Sequence, residues 1–308
     1  MKATCLTICL LALICITGIK AQALTQYLTP HFNAWLKANG YGGYNFERRD
    51  IPGGSYGGKV SDDDTIEREP VIFFHGNSDH AIGNLGDEFN GFTDSILYFQ
   101  SHGYKEREIY ITTWGPANKA LASQQYHSYE YLSYLRAFTE AVLKYTGAKK
   151  VDIIAHSMGV TLARKVIKGG TGVDKGKRYD LGPSLAPNVD TFLGIAGANL
   201  GLVACYLAFG LPTCGKETGF YPGSGPGPIA LSGFLKDLLD SREKEGDYAF
   251  SMLSTADDLI MYEGKVWGKY TSKFPTEDDS KIYTNLGHMA LKTQTAAQQL
   301  QIITSHRI

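Results

Sequence analysis

Short apolar runs alternate along the chain with longer segments whose apolar side chains recur at helical spacing. The runs predict buried strands at 71–74, 108–114, 151–154, 191–196, 248–253 and 281–284. The periodic segments predict helices at 27–36, 89–100, 129–145, 160–167 and 290–303. Strands that alternate with helices favour a mostly parallel sheet with helices on both faces, so the predicted fold class is α/β.

Two stretches interrupt this alternation. Residues 40–64 are rich in Gly and Asp and are predicted to form a surface loop. Residues 197–246 form a much longer Gly-rich excursion, and loops of that length in compact domains usually have a function. We interpret the excursion either as a wall or lid of an active-site mouth, or as a structural insertion.

The first 23 residues have the pattern of a secretory signal peptide. Lys2 precedes a short apolar run, and Ala21-Gln22-Ala23 offers a small-residue cleavage site after Ala21 or Ala23. We therefore expect a secreted, extracellular protein in which residues 24–308 form a single domain. The apolar run is too short for a comfortable membrane span, and no later run is long enough for an integral one.

The cysteines and the net charge indicate an oxidising compartment and limit the classes of ligand that the protein could bind. Three of the five cysteines lie in the predicted signal, which leaves Cys205 and Cys214 to form a disulfide in an oxidising compartment. The net charge is −1 and basic runs are missing, so the sequence has no electrostatic footprint for nucleic acid. Gly53 to Val60 only partly matches a phosphate-binding loop, because Val60 follows Lys59 where Ser or Thr is needed.

The stretch Ala155-His156-Ser157-Met158-Gly159 joins a predicted strand to a predicted helix. A serine at such a turn is a nucleophile elbow, in which the residues two before and two after must be small. Ala155 and Gly159 meet that requirement in the pattern A-x-S-x-G. We expect Ser157 to be the nucleophile and His156 to be structural.

A serine nucleophile needs a histidine base and an orienting carboxylate, which follow it in the order Ser, Asp or Glu, His. Of the two later histidines, His288 follows a predicted strand and a glycine, whereas His306 lies beyond the last helix. We expect His288 to be the base. Asp257 and Asp258 both follow the preceding strand; Asp257 is preferred. The other open candidates for the acid are Asp237, Asp240 and Asp247.

The tetrahedral oxyanion of an acyl-transfer reaction needs two backbone N–H donors. One comes from the residue after the nucleophile, which is Met158. The other comes from the turn after an early core strand, most simply Asn77 in His75-Gly76-Asn77.

These motifs together resemble secreted class 2 lipases, a group similar to small bacterial triacylglycerol lipases. The resemblance rests on residues 70–79, 155–159, 254–257 and 287–288, including the alanine in the elbow. It implies an α/β-hydrolase fold, no organic cofactor and an acylglycerol ester substrate. Transient contact with a lipid interface is a further expectation for such a protein. The resemblance also implies Ser157, Asp257 and His288 as the triad, with Asn77 and Met158 as oxyanion donors. The cysteine-bearing excursion departs from the bacterial pattern, which leaves acyl-chain length and lid movement open.

Other functions fit the same residues. A short-chain esterase, a thioesterase or an acyltransferase would use the same triad, and comparison of emulsified triglyceride with soluble esters would separate the first of these. A hydrolase fold can also serve as a binding protein without catalysis. Such a protein would stay unlabelled by a fluorophosphonate probe.

Overall fold

The computed structural model of the chain describes residues 24–225 and 229–308, so the predicted signal at 1–23 lies outside the described residues. The strands are β1 (Tyr27–Leu28), β2 (Ser55–Gly57), β3 (Val71–Phe74), β4 (Ile109–Thr112), β5 (Val151–His156), β6 (Thr171–Asp174), β7 (Lys177–Asp180), β8 (Val189–Ile195), β9 (Tyr248–Ser254), β10 (Lys265–Val266), β11 (Lys269–Tyr270) and β12 (Asp279–Tyr283). The helices are α1 (Pro30–Ala38), α2 (Thr93–Ser101), α3 (Tyr129–Thr146), α4 (Met158–Lys168), α5 (Gly233–Asp240), α6 (His288–Thr293) and α7 (Ala296–Ser305).

Within the described residues, eight strands form one sheet in the order β1-β2-β4-β3-β5-β8-β9-β12. All neighbours from β4 to β12 are parallel, and the one antiparallel pairing is between β2 and β4. Strands β3 and β5 lie in the middle and are buried along their whole length, which explains why β3 is entirely apolar and why β5 is apolar except for Asp152 and His156. The mostly parallel sheet confirms the predicted fold class.

Two apolar clusters pack on the opposite faces of the sheet. Because side chains alternate along a strand, Phe74 joins the cluster beneath α1, α3, α4 and α5, whereas Phe73 joins the cluster beneath α2, α6 and α7. Ile153 and Ile154 of β5 divide between the faces in the same way. Helices therefore cover both faces, as predicted.

The prediction of a surface loop at 40–64 was wrong in part, because this stretch contains β2. Tyr56 is buried and pairs with Ile111 of β4. Gly57 has φ +114°, and a Cβ there would lie 1.9 Å from the carbonyl oxygen of Ile109. The glycine that suggested a loop is thus needed for close approach of two strands.

The irregular excursion at 197–246 was also only partly predicted, because its last part is helix α5. This helix buries Phe234, Leu235 and Leu238 against the cluster that contains α4. Four of the eight residues of α5 are apolar, but the helix was not predicted because glycines and prolines flank this segment. The remainder of the described excursion is irregular, with single 3₁₀ turns at Val203–Cys205 and Pro212–Cys214.

The C-terminal helix predicted at 290–303 is two helices, α6 and α7. Gln299 Nε2 donates to the carbonyl oxygen of Lys292 at 2.8 Å and to Thr295 Oγ1 at 3.1 Å, across the break. These side-chain hydrogen bonds replace backbone ones and let the chain turn between the helices. The hairpin β6–β7 was not predicted; Lys175 and Gly176 at its turn have φ of +50° and +72°.

Across residues 24–225 and 229–308, none of the helices combines the length and the apolar character that a bilayer crossing requires.

Candidate active site

Ser157 stands at the sharp turn between β5 and α4. Its backbone has φ 54° and ψ −127°, which is neither strand nor helix. A Cβ on Gly159 would lie 2.4 Å from the carbonyl oxygen of Phe74, so the start of α4 can pass β3 only with a glycine at this position. Ala155 is fully buried. The local sterics are therefore those of a nucleophile elbow.

The side chains of Ser157, His288 and Asp257 meet in one chain of hydrogen bonds. Ser157 Oγ lies 2.9 Å from His288 Nε2, and His288 Nδ1 lies 2.8 Å from Asp257 Oδ2. A carboxylate can only accept, so the imidazole carries its proton on Nδ1 and receives the serine hydroxyl at Nε2. Residues that lie more than 100 positions apart in sequence are thus brought into the geometry of a base and its nucleophile.

Asp257 is fixed by the backbone that follows it. Its second carboxylate oxygen accepts hydrogen bonds from the N–H groups of Leu259 at 3.0 Å and Ile260 at 2.7 Å. Both Asp257 and His288 are buried. The acid is therefore held rigidly and away from water, as an orienting carboxylate must be.

The neighbouring Asp258 contacts His288 differently. Its Oδ1 accepts from the backbone N–H of His288 at 2.8 Å and does not reach the ring. This hydrogen bond is the main cause of a pKa of the Asp258 carboxyl below its ordinary value. The structure thus brings Asp257 to the imidazole and Asp258 to the backbone, a division that sequence alone left open.

The remaining sequence candidates lie elsewhere. His306 contacts Asp190 at 2.9 Å and stacks on Tyr248. The three alternative acids form ion pairs with lysines: Asp237 with Lys165, Asp240 with Lys236, and Asp247 with Lys150. None of these described contacts involves Ser157 or His288.

The loop after β3 approaches Ser157 closely. A Cβ on Gly76 would lie 3.0 Å from the Ser157 Cβ, so the backbone of the loop passes beside the nucleophile. Asn77 is held there by its side chain, whose Nδ2 donates to the carbonyl oxygen of Ala122 at 2.9 Å. Its backbone N–H has no hydrogen-bond partner among the described residues. Met158 is the first residue of α4, where an N–H has no intrahelical acceptor.

His75 stabilises the same loop by stacking and by hydrogen bonds. It is buried and stacks on Trp114 with ring centroids 5.2 Å apart. The backbone N–H of Trp114 donates to His75 Nε2 at 3.0 Å, so Nδ1 carries the proton and donates to Gly76 O at 2.8 Å. Burial lowers the pKa of His75 to about 4. A neutral histidine at this position keeps both hydrogen bonds in physiological conditions.

A cavity of about 220 Å³ opens beside Ser157 and His288. Its walls are mainly apolar and include Leu202, Phe220, Leu259 and Met289. Leu202 and Phe220 belong to the excursion, which therefore forms one wall of the cavity. A larger cavity of about 510 Å³, lined by Arg48, Asp50 and Tyr44, does not include the serine.

Cys205 and Cys214 form a disulfide within the excursion. The loop between them exposes Leu207, Phe209 and Leu211, and Leu207 is 85% exposed. The covalent link closes a loop of apolar side chains next to the wall of the cavity.

Three carboxyl groups with metal-ligand spacing lie at the opposite end of β5 from Ser157. The oxygens of Glu69, Asp152 and Asp190 are within 4.8 Å of one another. Burial raises the pKa of Asp152 well above its ordinary value, and burial followed by the charge of Asp190 raises that of Glu69. These shifts favour the protonated forms of Asp152 and Glu69, and the cluster lies away from the serine.

Comparisons with known proteins identify the family and the fold. The sequence profile of the family described as "Lipase (class 2)" matches residues 68–301. Aspergillus fumigatus lipase B is similar in structure, with a TM-score of 0.51 and 13% identity over 85% of this chain and 58% of that chain. The Paleococcus ferrophilus monoacylglycerol lipase has a TM-score of 0.49 and 13% identity over 82% of this chain and 98% of that chain. At 13% identity the likeness to Aspergillus fumigatus lipase B shows the fold alone, an α/β hydrolase.

Proposed function

This chain belongs to the class 2 lipase family, and on that premise we propose that it hydrolyses acylglycerol esters with Ser157, His288 and Asp257 as its catalytic triad. The family and the fold make it an ester hydrolase of the lipase and esterase kind. One observation carries the finer proposal: the hydrogen bonds run unbroken from Ser157 Oγ through the imidazole to Asp257, beside an apolar cavity.

The first half of the reaction forms an acyl-enzyme. Ser157 Oγ attacks the ester carbonyl carbon while His288 Nε2 takes its proton, and Asp257 stabilises the imidazolium through Nδ1–H. The carbonyl oxygen becomes an oxyanion that accepts from the backbone N–H groups of Met158 and Asn77. The ester C–O bond then breaks, and His288 gives its proton to the leaving alcohol oxygen.

The second half releases the fatty acid. A water molecule attacks the acyl carbon while His288 takes one of its protons. The second tetrahedral oxyanion uses the same two N–H donors. When the bond from the acyl carbon to Ser157 Oγ breaks, His288 returns the proton to Oγ, which restores the starting enzyme.

The triad is tested by two substitutions and one control. Ser157→Ala and His288→Gln each remove a member of a unit that acts together, so kcat for a soluble ester should fall by roughly 10⁴–10⁶-fold. His306→Gln is the matched control, because this histidine contacts Asp190 and should leave kcat unchanged. Labelling of Ser157 by a fluorophosphonate, located by peptide mass spectrometry, gives a second readout. Retention of most activity in Ser157→Ala would rule out the mechanism.

The size of the cavity favours a second candidate substrate class. At about 220 Å³ it is smaller than the roughly 300–1,000 Å³ usual for ligand sites, which would suit esters of short acids. A long acyl chain would instead have to extend past Leu202 and Phe220 toward the exposed Leu207 and Phe209. We propose the long-chain reading, with transient contact between this apolar loop and a lipid interface.

A substrate panel separates the two classes. An acylglycerol lipase should hydrolyse emulsified long-chain triglyceride, and Leu207→Ser with Phe209→Ser should lower that rate while leaving the rate on a soluble butyrate ester unchanged. A short-chain esterase would act only on the soluble ester.

We propose secretion as well, with removal of the signal after Ala21 or after Ala23. The sequence pattern of the signal and the disulfide between Cys205 and Cys214 support it. The mature protein recovered from culture medium should begin at Gln22 or Leu24 on N-terminal sequencing. An N-terminus at Met1 would contradict the proposal.

A further inference from the structure

Four side chains converge on His288, and only two of them belong to the proposed triad. Ser157 and Asp257 bind its ring nitrogens, whereas Asp258 and His156 bind its backbone N–H and C=O. We propose that Asp258 and His156 are positioning residues, which fix the backbone of His288 so that its ring stays in line between Ser157 and Asp257. This inference rests on the proposed function of the triad.

The two positioning residues are sequence neighbours of the residues whose geometry they protect. His156 directly precedes Ser157, and Asp258 directly follows Asp257. The loop that holds the nucleophile and the loop that holds the acid each contribute one contact to the ring of His288 and one to its backbone. The position of His288 is therefore fixed by contacts from both segments as well as by its place in α6.

The contact from Asp258 serves a helix end. His288 is the first residue of α6, where a backbone N–H has no intrahelical acceptor, and Asp258 Oδ1 accepts from it at 2.8 Å. The N-cap residue is Gly287, which has no side chain that could accept a hydrogen bond from the helix. A Cβ on Gly287 would lie 2.9 Å from Asp258 Oδ1, so the glycine leaves room for the carboxylate. A negative charge is also favourable at the N-terminus of a helix.

The contact from His156 is made by a fully buried ring. Its Nε2 lies 3.1 Å from the carbonyl oxygen of His288, and the two rings have centroids 4.8 Å apart. A carbonyl oxygen only accepts, so His156 must carry its proton on Nε2. Burial, then the charges of His288 and Lys292, push the pKa of His156 well below its ordinary value, which keeps the ring neutral.

The other nitrogen of His156 supports a role beyond packing. Its Nδ1 is buried and has no hydrogen-bond partner among the described residues. An unsatisfied buried acceptor opposes stability, so an apolar side chain would suit packing better. The imidazole is explained if its Nε2–H is needed to hold His288.

The test for Asp258 uses two variants and a control. Asp258→Ala removes the acceptor. Because small displacements of a catalytic group lower the rate of reaction strongly, kcat for a soluble butyrate ester should fall by roughly 10–100-fold. KM should change little, since Asp258 does not line the cavity. Asp258→Asn keeps an oxygen that can accept, so it should recover most of the lost kcat. Asp63→Ala, a change at an exposed aspartate, is the control and should match the wild type.

The test for His156 separates positioning from stability. His156→Leu removes the donor together with the unsatisfied acceptor, so kcat should fall while the melting temperature stays the same or rises. His156→Gln offers an amide N–H near the place of Nε2 and should recover part of the kcat. A purely structural histidine would give the opposite pattern for His156→Leu, with a lower melting temperature and an unchanged kcat.

The rate of fluorophosphonate labelling separates failure of this inference from failure of the proposed function. If the wild-type protein is not labelled at Ser157, the triad itself is wrong. If the wild type is labelled and Asp258→Ala reacts at the same rate, the triad stands and the positioning role is overturned. Equal losses in Asp258→Ala and Asp258→Asn would also overturn it, because the accepted hydrogen bond would then be irrelevant.

Discussion

Ser157 has a backbone conformation that residues with a side chain rarely adopt, with φ in the left-handed region. Such a conformation costs roughly 1–3 kcal/mol and persists only where the surroundings impose it. Here β5 and α4 impose it, and Gly159 lets α4 start directly against the backbone of β3. The small residues around the serine could be predicted from sequence because this steric demand is local.

Gly159→Ala tests that demand at a single residue. The new Cβ would lie 2.4 Å from the carbonyl oxygen of Phe74 and 2.5 Å from that of His75, so backbone must shift. The free energy of unfolding should fall by roughly 1–3 kcal/mol in urea titration, as for other overpacked sites. Gly43→Ala is the control, because a Cβ there meets nothing within 4 Å. Equal stability of the two variants would contradict this account of the elbow.

Asp257 and Asp258 show where residue-level prediction ends. They are adjacent and chemically identical, and the sequence places both after the same strand. Which of them meets the ring of His288 depends on where α6 docks, and docking is a property of distant packing. The contact of His156 with the His288 carbonyl was missed for the same reason, although its place beside Ser157 was visible.

Glu106 gives a pH dependence of stability. Burial, and then the charge of Asp64, raise the pKa of its carboxyl from 4.5 to about 7. Between those values the folded protein keeps a proton that the unfolded chain releases, so rising pH favours unfolding. The contribution of this group to stability is fully present below about pH 4.5 and is lost as the pH rises toward 7.

Glu106→Gln should remove this loss. The variant should gain stability relative to the wild type at pH 8 and gain none at pH 4, measured by urea unfolding at both pH values. Glu88→Gln, at an exposed position, is the control and should give the same difference at both. A Glu106→Gln variant whose advantage is independent of pH would show that the carboxyl is not protonated in the folded state.

At the scale of elements, helix α6 is tied to the loop after β3 by a buried ion pair. Lys292 Nζ lies 2.6 Å from Asp79 Oδ2, and both side chains are only 1% exposed. Asp79 also accepts from the N–H groups of His80 and Gly91. Burial opposes ionisation of Asp79, but the charge of Lys292 and the hydrogen bonds that the carboxylate accepts together hold the pKa of the carboxyl below its ordinary value. The helix that starts with His288 and the loop that carries Asn77 therefore share one anchor.

Removal of one member of the Asp79–Lys292 pair should destabilise the protein more than removal of both. Lys292→Met leaves a buried carboxylate without its partner and should lower the free energy of unfolding by roughly 3–5 kcal/mol. The double variant Lys292→Met with Asp79→Leu leaves no uncompensated charge and should recover part of the loss. A double-mutant cycle in urea measures the coupling. Simply additive losses would mean that the two groups do not interact.

Prediction from sequence succeeded for elements whose burial is uniform and failed where tertiary contacts decide. Strand β3 is apolar throughout and β5 is apolar except for Asp152 and His156, because both faces of the sheet are covered at these strands. Strand β2 was missed because Gly57 serves a close strand pairing, which resembles loop composition. The break between α6 and α7 depends on hydrogen bonds of Gln299, which no local pattern shows.

For the whole molecule, we propose that residues 24–308 act as one domain. Strand β1, near the start, lies in the same sheet as β12, near the end, and the Asp79–Lys292 pair spans 213 positions of sequence. The α/β class followed from the order of strands and helices alone. The path of the excursion could not be predicted in this way, because the apolar side chains that pack it against the domain are spread among glycines.

The proposal of a single domain can be tested by whether the protein unfolds cooperatively. The three tryptophans sit in different regions: Trp35 in α1, Trp114 after β4, and Trp267 between β10 and β11, where its Nε1 donates to Pro222 O. Variants that retain one tryptophan each should give the same urea midpoint by fluorescence, and it should match the midpoint by circular dichroism. A separate midpoint for Trp267 would mean that the excursion and its surroundings unfold on their own.

The order of strands in the sheet has a further consequence for a cell that makes this enzyme. In the export that we propose, the chain would leave the ribosome and the export channel with its amino end first, so Ser157 would emerge before β9, β12 and α6 have formed. Until His288 has passed through, the nascent protein has a hydroxyl with no base to activate it. On the proposed triad and the proposed secretion, hydrolytic activity would therefore arise only after the chain has crossed the membrane, and the lipids of that membrane would be spared.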